Sequence, residues 1–310
     1  MPSLDQHQSN LIVKALLIGD SKAGKTASLI SLVKAGYKLR ILDMDNLLDI
    51  LKYLILKECP DKIGNVEFRT LRDKRQWTPE GPKVTSPKAY GDAVRMMQHW
   101  KYGETDLGPP AEWGPDCIFV LDSLSRLCDA AYDFREPLTP RSERTGQYDP
   151  RATYGDSQDA VENNLANLTS ESFDTNVLVI GHVTYLTLPD GTTKGFPQGV
   201  GQKLSPKIPQ YFPTVLLCTN DGGKRTIKTA STPLIDLANP KPFEMGKSYP
   251  SETGLASIFE VLTGRANVAA DTGPRESKDI VQPVQRQPSG PNQTGIGRVN
   301  RPMQPRSLRG

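Results

Sequence analysis

Apolar positions in this chain come in short bursts. Runs at 13–18, 38–43, 66–71, 117–122 and 177–182 are of strand length, and the segments between several of them carry the spacing of amphipathic helices. Helices are expected after the first run at 27–34, then at 46–56, 87–101 and about 155–172. Strand and helix patterns in alternation predict an α/β fold with a mostly parallel central sheet. The texture then changes. Residues 213–220 and 224–230 flank Asp221-Gly222-Gly223, and an Asp-Gly between alternating segments signals a late antiparallel hairpin. Two stretches fit neither pattern: 135–151, rich in Pro, Arg and Ser, and 186–210, rich in Gly, Pro and Lys. Connections of that length inside a compact domain are usually functional.

Composition divides the 310 residues unequally. From Arg265 the chain reads Pro, Gln, Ser, Gly, Asn and Arg, too poor in apolar residues to offset the entropy of ordering. A domain over 1–264 with a basic disordered tail over 265–310 is therefore expected. The tail holds eight Lys/Arg against three Asp/Glu, a net +5, so residues 1–264 carry −2 of the overall +3. Such an arm suits non-specific nucleic-acid contact or protein docking, and equally a solubilising terminus. Cys59, Cys117, Cys128 and Cys218 have no C-x-x-C spacing, which fits reduced thiols in a cytoplasm. Polar residues at 5–10 argue against a signal peptide, and no apolar run is long enough to span a membrane.

The chemistry enters at Gly19-Asp20-Ser21-Lys22-Ala23-Gly24-Lys25-Thr26, which fits the P-loop pattern between a strand and a helix. That pattern curls backbone N–H groups around phosphates, sends Lys25 to the β- and γ-phosphates and gives Thr26 to Mg²⁺. Residues 117–122 form an apolar strand ending in Asp122, the Walker B arrangement. Placed next to the P-loop strand, it would put Asp122 at the carboxyl edge of the sheet as a second Mg²⁺ group. Leu42-Asp43-Met44-Asp45 ends another strand at the same edge. Asp45 is the preferred general base, Asp43 the second choice, and either acid could instead cap the helix that follows.

Taken in order, the P-loop, the Asp-x-Asp strand end, Asp122-Ser123-Leu124-Ser125, Gly181-His182 and a late hairpin with Arg and Lys resemble the RecA-like P-loop NTPase core. Tyr154-Gly155-Asp156-Ser157, Pro209-Gln210-Tyr211-Phe212 and the run Glu252-Thr253-Gly254-Leu255-Ala256-Ser257-Ile258-Phe259 narrow this to the RecA-like ATPases of tailed phages, some of them regarded as single-strand annealing recombinases. The resemblance covers about residues 14–264.

It implies ATP and Mg²⁺ as ligands, hydrolysis, a homo-oligomer, single-stranded DNA bound without sequence preference, phage or host replication and recombination partners, and a bacterial cytoplasm. Asp45 matches the place of the family's catalytic glutamate, one methylene shorter. His182 matches its γ-phosphate sensor. Lys228, or failing it Arg225, is expected to reach a neighbouring subunit's phosphates. The two unassigned stretches fall where the family has its DNA loops, which nominates Arg135, Arg141, Arg144 and Arg151 in the first and Lys194, Phe196, Lys203 and Lys207 in the second. The first stretch also holds Glu136, Glu143 and Asp149, so a plain solvated loop is the competing reading. From another class comes a nucleotide-gated assembly protein without DNA function. A small-molecule kinase is disfavoured, since no acceptor pocket or basic lid is evident.

Overall fold

The computed structural model describes residues 12–79, 81–141, 146 and 150–264. The tail over 265–310, Glu143, Arg144 and Asp149 lie outside the described residues.

In chain order the strands are β1 (Lys14–Gly19), β2 (Lys38–Asp43), β3 (Val66–Thr70), β4 (Arg75–Thr78), β5 (Gly81–Val84), β6 (Lys101–Tyr102), β7 (Thr105–Asp106), β8 (Gly114–Asp122), β9 (Thr175–Thr187), β10 (Thr193–Pro197), β11 (Thr214–Asp221), β12 (Lys224–Lys228) and β13 (Ser248–Pro250). The helices are α1 (Lys25–Ser28), α2 (Ile30–Lys34), α3 (Asp49–Glu58), α4 (Ala89–Gln98), α5 (Leu124–Arg135), α6 (Pro150–Leu168), α7 (Gly201–Leu204) and α8 (Gly254–Thr263). The main sheet runs β13-β12-β11-β1-β9-β8-β2-β3, with β10 attached to β9. Its strands from β11 to β3 are parallel, and β12, β13 and β10 add antiparallel pairs. This is the mostly parallel α/β sheet with a late antiparallel hairpin that the sequence implies.

Burial on both faces explains the unbroken apolar runs of the central strands. Alternate residues serve opposite layers. Leu16, Ile18, Phe119, Leu121, Val177 and Val179 pack toward α4, α5 and α6. Leu17, Ile118, Val120, Leu178, Ile180 and Leu216 pack toward α1, α2, α3 and α8. Two-sided packing fixes the register, because a one-residue slip would exchange the two layers.

Several expectations need adjusting. The Asp122 strand is not the neighbour of the P-loop strand, since β9 lies between β8 and β1. Asp122 nevertheless reaches the carboxyl edge, in register with Asp43. The helix after the P-loop is broken at Leu29: the Ser28 hydroxyl takes the Lys25 carbonyl at 2.6 Å, and Leu29 N bonds Thr26 O instead, a competition that short polar side chains impose on helices. The stretch 186–210 is largely ordered by β10, α7 and a 3-10 turn at Ile208–Tyr211. Its missed signal is Asp190-Gly191, which sits between the paired ends Thr187 and Thr193 of a hairpin.

Lys14 sits at the opposite edge, buried, with its ammonium donating to the carbonyls of Phe173 and Thr175 and lying 4.6 Å from the Phe173 ring centre. Burial pulls its pKa down from 10.5 to about 8, partly opposed by Asp174. The folded lysine thus holds its proton less tightly than the unfolded one, so the cost is complete below pH 8 and is relieved as pH climbs toward 10.5. Thermal unfolding of the wild type and Lys14→Met across pH 7–11 should show the wild type gaining on the variant through that window. Parallel curves would mean that the ammonium is solvated.

Candidate active site at the carboxyl edge of the sheet

The P-loop leaves β1 at Gly19, whose neighbour on β11 is Cys218. A Cβ at Gly19 would lie 2.4 Å from the Cys218 carbonyl oxygen, so only glycine lets these strands approach. Lys22 and Gly24 take positive φ, 65° and 99°, and turn the chain into α1. The Cys218 thiol donates to Ala23 O at 3.1 Å, tying the loop to the sheet; burial raises its pKa to about 11, which keeps it a protonated donor. Lys25 is 7% exposed and folds back, its Nζ 2.9 Å from the carbonyls of Gly19 and Asp20. Burial lowers its pKa, against the attraction of Asp122.

Thr26 donates its hydroxyl to Asp122 Oδ2 at 2.7 Å. Asp122 is 4% exposed, and burial, with Asp45 and Asp43 nearby, pushes its pKa up to about 7. A hydroxyl and an acid in a pocket already crowded with carboxylates form the oxygen donor set that suits Mg²⁺. Among the described residues no group of three or more His, Cys, Asp or Glu is arranged to hold a metal alone. The remaining oxygens would come from phosphates and water, as is usual for Mg²⁺.

The two acids at the end of β2 have different surroundings. Asp43 is 2% exposed and fully engaged, with Oδ1 accepting from the backbone N–H of Asp45 and Asn46 and Oδ2 accepting from the Thr70 hydroxyl. It fixes the turn above β2. Asp45 faces the site, with Oδ1 3.2 Å from Arg126 Nε and Oδ2 4.0 Å from His182 Nε2.

His182 lies level with Gly19 on the strand beside β1. Its Nδ1 is 3.4 Å from Lys25 Nζ, and burial and Lys25 lower its pKa. The ring is therefore neutral near pH 7, with Nδ1 turned to the ammonium and Nε2 toward Asp45. Its backbone N–H donates to Ser125 Oγ and its carbonyl accepts from Gln198 N, so the middle of the second unassigned stretch is one hydrogen bond from the histidine that meets the P-loop lysine.

Arg126, overlooked in the sequence, joins Asp45 to Asp129, with Nη1 3.1 Å from Asp129 Oδ2. Its only sequence signal was its place four residues after Asp122, one turn into the helix that leaves the edge.

The late hairpin separates its two nominated cations. Gly222 and Gly223, both at positive φ, close a two-residue turn, and Arg225 pairs with Asn220 while Lys228 pairs with Leu217. Arg225 thus lies beyond the carboxyl edge and Lys228 below it. A Cβ on Gly24 would meet Arg225 Cδ at 2.6 Å, so the arginine stem lies across the P-loop of its own chain.

The nominated DNA residues fare unequally. Lys207 is held by Glu162 at 2.8 Å and Lys194 by Asp236 at 3.1 Å. Phe196 is half-buried, and Lys203 is exposed. Arg135 is half-buried at the end of α5, whereas Arg141 and Arg151 are exposed.

No protein-family model matches the chain, and no curated protein matches it in sequence. Among solved structures it is similar to the RadB recombinase, at 12% identity with a TM-score of 0.41 over 78% of this chain and 89% of that one. It is also similar to an ATPase from the type III secretion system of pathogenic bacteria, at 12% identity with a TM-score of 0.37 over 67% of this chain and 51% of that one. The functional reading rests on the site itself.

The two acids of β2 can be separated by urea unfolding. Asp43→Ala leaves two backbone donors and the Thr70 hydroxyl without their acceptor and should cost about 1–3 kcal/mol. Asp45→Ala should change stability by less than about 1 kcal/mol. Equal losses would contradict the division between a turn-fixing and a site-facing acid.

Proposed function

We propose that this chain is a Mg²⁺-dependent ATPase of the RecA-like type that couples its nucleotide state to single-stranded DNA in phage-type recombination or annealing, acting as a homo-oligomer. The observation that carries the ATPase reading is the convergence of Lys25, Thr26, Asp122, Asp45 and His182 from four separate elements on one carboxyl edge, with Thr26 and Asp122 in direct hydrogen bond. An oligomer and a DNA partner extend that reading through the resemblance.

The roles follow from what each side chain can reach. The loop 19–26 offers backbone N–H groups to phosphate oxygens, and Lys25 exchanges its two loop carbonyls for the β- and γ-phosphates. Thr26 and Asp122 hold Mg²⁺, which, when bound, neutralises charge on the phosphate chain. Asp45 orients the attacking water and accepts its proton, having Arg126 and His182 to fix its direction. Its shorter stem is compensated by its place in the turn above the strand. His182, between Lys25 and Asp45 and bonded through its carbonyl to Gln198, senses whether the γ-phosphate is present. Arg225, lying over Gly24, is the better placed of the two hairpin cations, and we assign it to the phosphates of its own subunit rather than a neighbour's. Such a cation counts most where charge develops in the transition state.

Lys25→Ala should abolish ATP turnover while leaving the fold intact, and Asp45→Ala should lower kcat by about 10²–10⁴-fold with little change in ATP affinity. Wild-type hydrolysis by either variant would overturn the assignment. ATPase activity should rise with oligo-dT. Hydrolysis indifferent to single strands, with no strand binding at low salt, would leave the nucleotide-gated assembly reading.

Mixing subunits separates the two modes of the hairpin. Arg225→Ala and Lys25→Ala chains should fail to rescue each other in mixed oligomers if Arg225 serves its own P-loop. Recovery of activity would mean an arginine acting across the subunit boundary.

A further inference from the structure

Residues 69–88 hold six Lys/Arg against two Asp/Glu, a net +4, whereas the rest of residues 1–264 carries −6. Positive charge is therefore concentrated in one short segment of an otherwise acidic domain. That segment contains the β4–β5 hairpin, which stands apart from the main sheet. A two-stranded hairpin is marginal by itself, and this one presents Trp77 at 85% exposure. Trp100, by contrast, is 3% exposed, and Trp113 is packed against it and Phe119. Burial in the core does not explain an indole held this far into solvent.

The register shows what surrounds the ring. Trp77 pairs with Pro82 and Arg75 with Val84, so these four residues share one face, and Lys83 pairs with Gln76 on the other. Proline opposite the tryptophan stiffens the strand paired with the one that bears it. The hairpin leans toward the end of α5, where Arg75 pairs with Asp133 at 3.8 Å. Between them lies a cleft of about 550 Å³ lined by Arg75, Lys83 and, from the first unassigned stretch, Arg141. A smaller cleft beside it is lined by Arg75, Arg126, Asp129 and Asp133. The base of the hairpin thus adjoins the arginine that holds Asp45.

We propose that the β4–β5 hairpin is a platform for single-stranded nucleic acid, on which Trp77 stacks against an unpaired base while Arg75, Lys83 and Arg141 engage the flanking phosphates. This rests on the nucleic-acid part of the proposed function but moves its centre to a hairpin outside the two stretches nominated there, from which it keeps only Arg141. Cations alone would suit any polyanion. The exposed indole selects a ligand with an accessible aromatic face, which a single strand offers and a duplex hides in its stack. Nothing in the hairpin reads base edges, so binding is tolerant of sequence.

The test uses the full chain with labelled oligo-dT at low salt and an ATP analogue. Trp77→Ala should weaken binding about tenfold, and Trp77→Phe should restore most of the loss. Arg75→Gln with Lys83→Gln should lower the slope of log affinity against log salt by about 1.4, near 0.7 for each phosphate contact. Hydrolysis without DNA should be unchanged in the Trp77 variants. Wild-type affinity in Trp77→Ala would overturn the hairpin site while leaving the proposed function standing. Absence of strand binding by the wild type would remove both. Displacement of oligo-dT by polyglutamate at equal charge concentration, with Trp77→Ala behaving as wild type, would show a generic acidic-polymer surface and overturn the proposal.

Discussion

Negative charge gathered at the dry edge of the sheet is the constraint on which the site depends. Parallel register sets Asp43 beside Asp122, and the turn above β2 brings Asp45 over the same edge. Three carboxylates so close, two of them nearly sealed from water, repel one another. The chain meets this cost by three separate means. Asp43 is absorbed by two backbone N–H groups and a threonine hydroxyl, Asp45 by Arg126 with His182 near, and Asp122 by Thr26 with Lys25 beyond it. For Asp122, burial still leaves a strong upward pull on the carboxyl pKa despite these partners. That residual demand for positive charge is a physical reason for a divalent cation at Thr26 and Asp122, independent of any motif.

Much of this was legible in the sequence because the central strands are buried on both faces. Burial of that kind writes unbroken apolar runs, and the run 38–43 coincides with β2. The P-loop was legible because its turns demand glycine: Gly24 at positive φ and Gly19 against the Cys218 carbonyl. Hairpins outside the core were far less visible. β4, β5, β6 and β7 bury little and so leave no apolar alternation, and only turn residues mark them. Nor could spacing separate Asp43 from Asp45. Their difference lies in Thr70, which arrives from β3 and has no signature near either acid. Arg225 and Lys228 were likewise equivalent in sequence until the hairpin register set one above the carboxyl edge and the other below it.

Signals can leave the site along two physical routes. One runs from Lys25 through His182, whose carbonyl holds Gln198 just after β10, within the second stretch. The other runs from Asp45 through Arg126 to Asp129 and on to the cleft that borders Arg75 and Asp133. Both begin at side chains of the carboxyl edge, to which the proposed function brings a γ-phosphate. A phosphate that draws Lys25 from its loop carbonyls removes a cation from His182, and one that competes for Arg126 loosens Asp45 and Asp129 together. A bistable element is what such coupling requires, and Arg126, half-exposed between two acids, has the alternatives to be one.

The same geometry bears on how the hairpin cation acts. Arginine placed across its own P-loop is pre-positioned, so its ordering entropy is met on folding rather than in the transition state. A cation delivered by a neighbouring subunit would instead make hydrolysis conditional on assembly. Here the contact at Gly24 is made within one chain, and the tie from the Cys218 thiol to Ala23 holds the adjoining strand to the same loop. If copies assemble as proposed, they have less to contribute to the phosphates than to the surfaces carrying Trp77, Arg75 and Arg141, where repeated hairpins would align along one strand. On the proposed function, cooperativity would then reside in strand binding and basal hydrolysis in the single subunit.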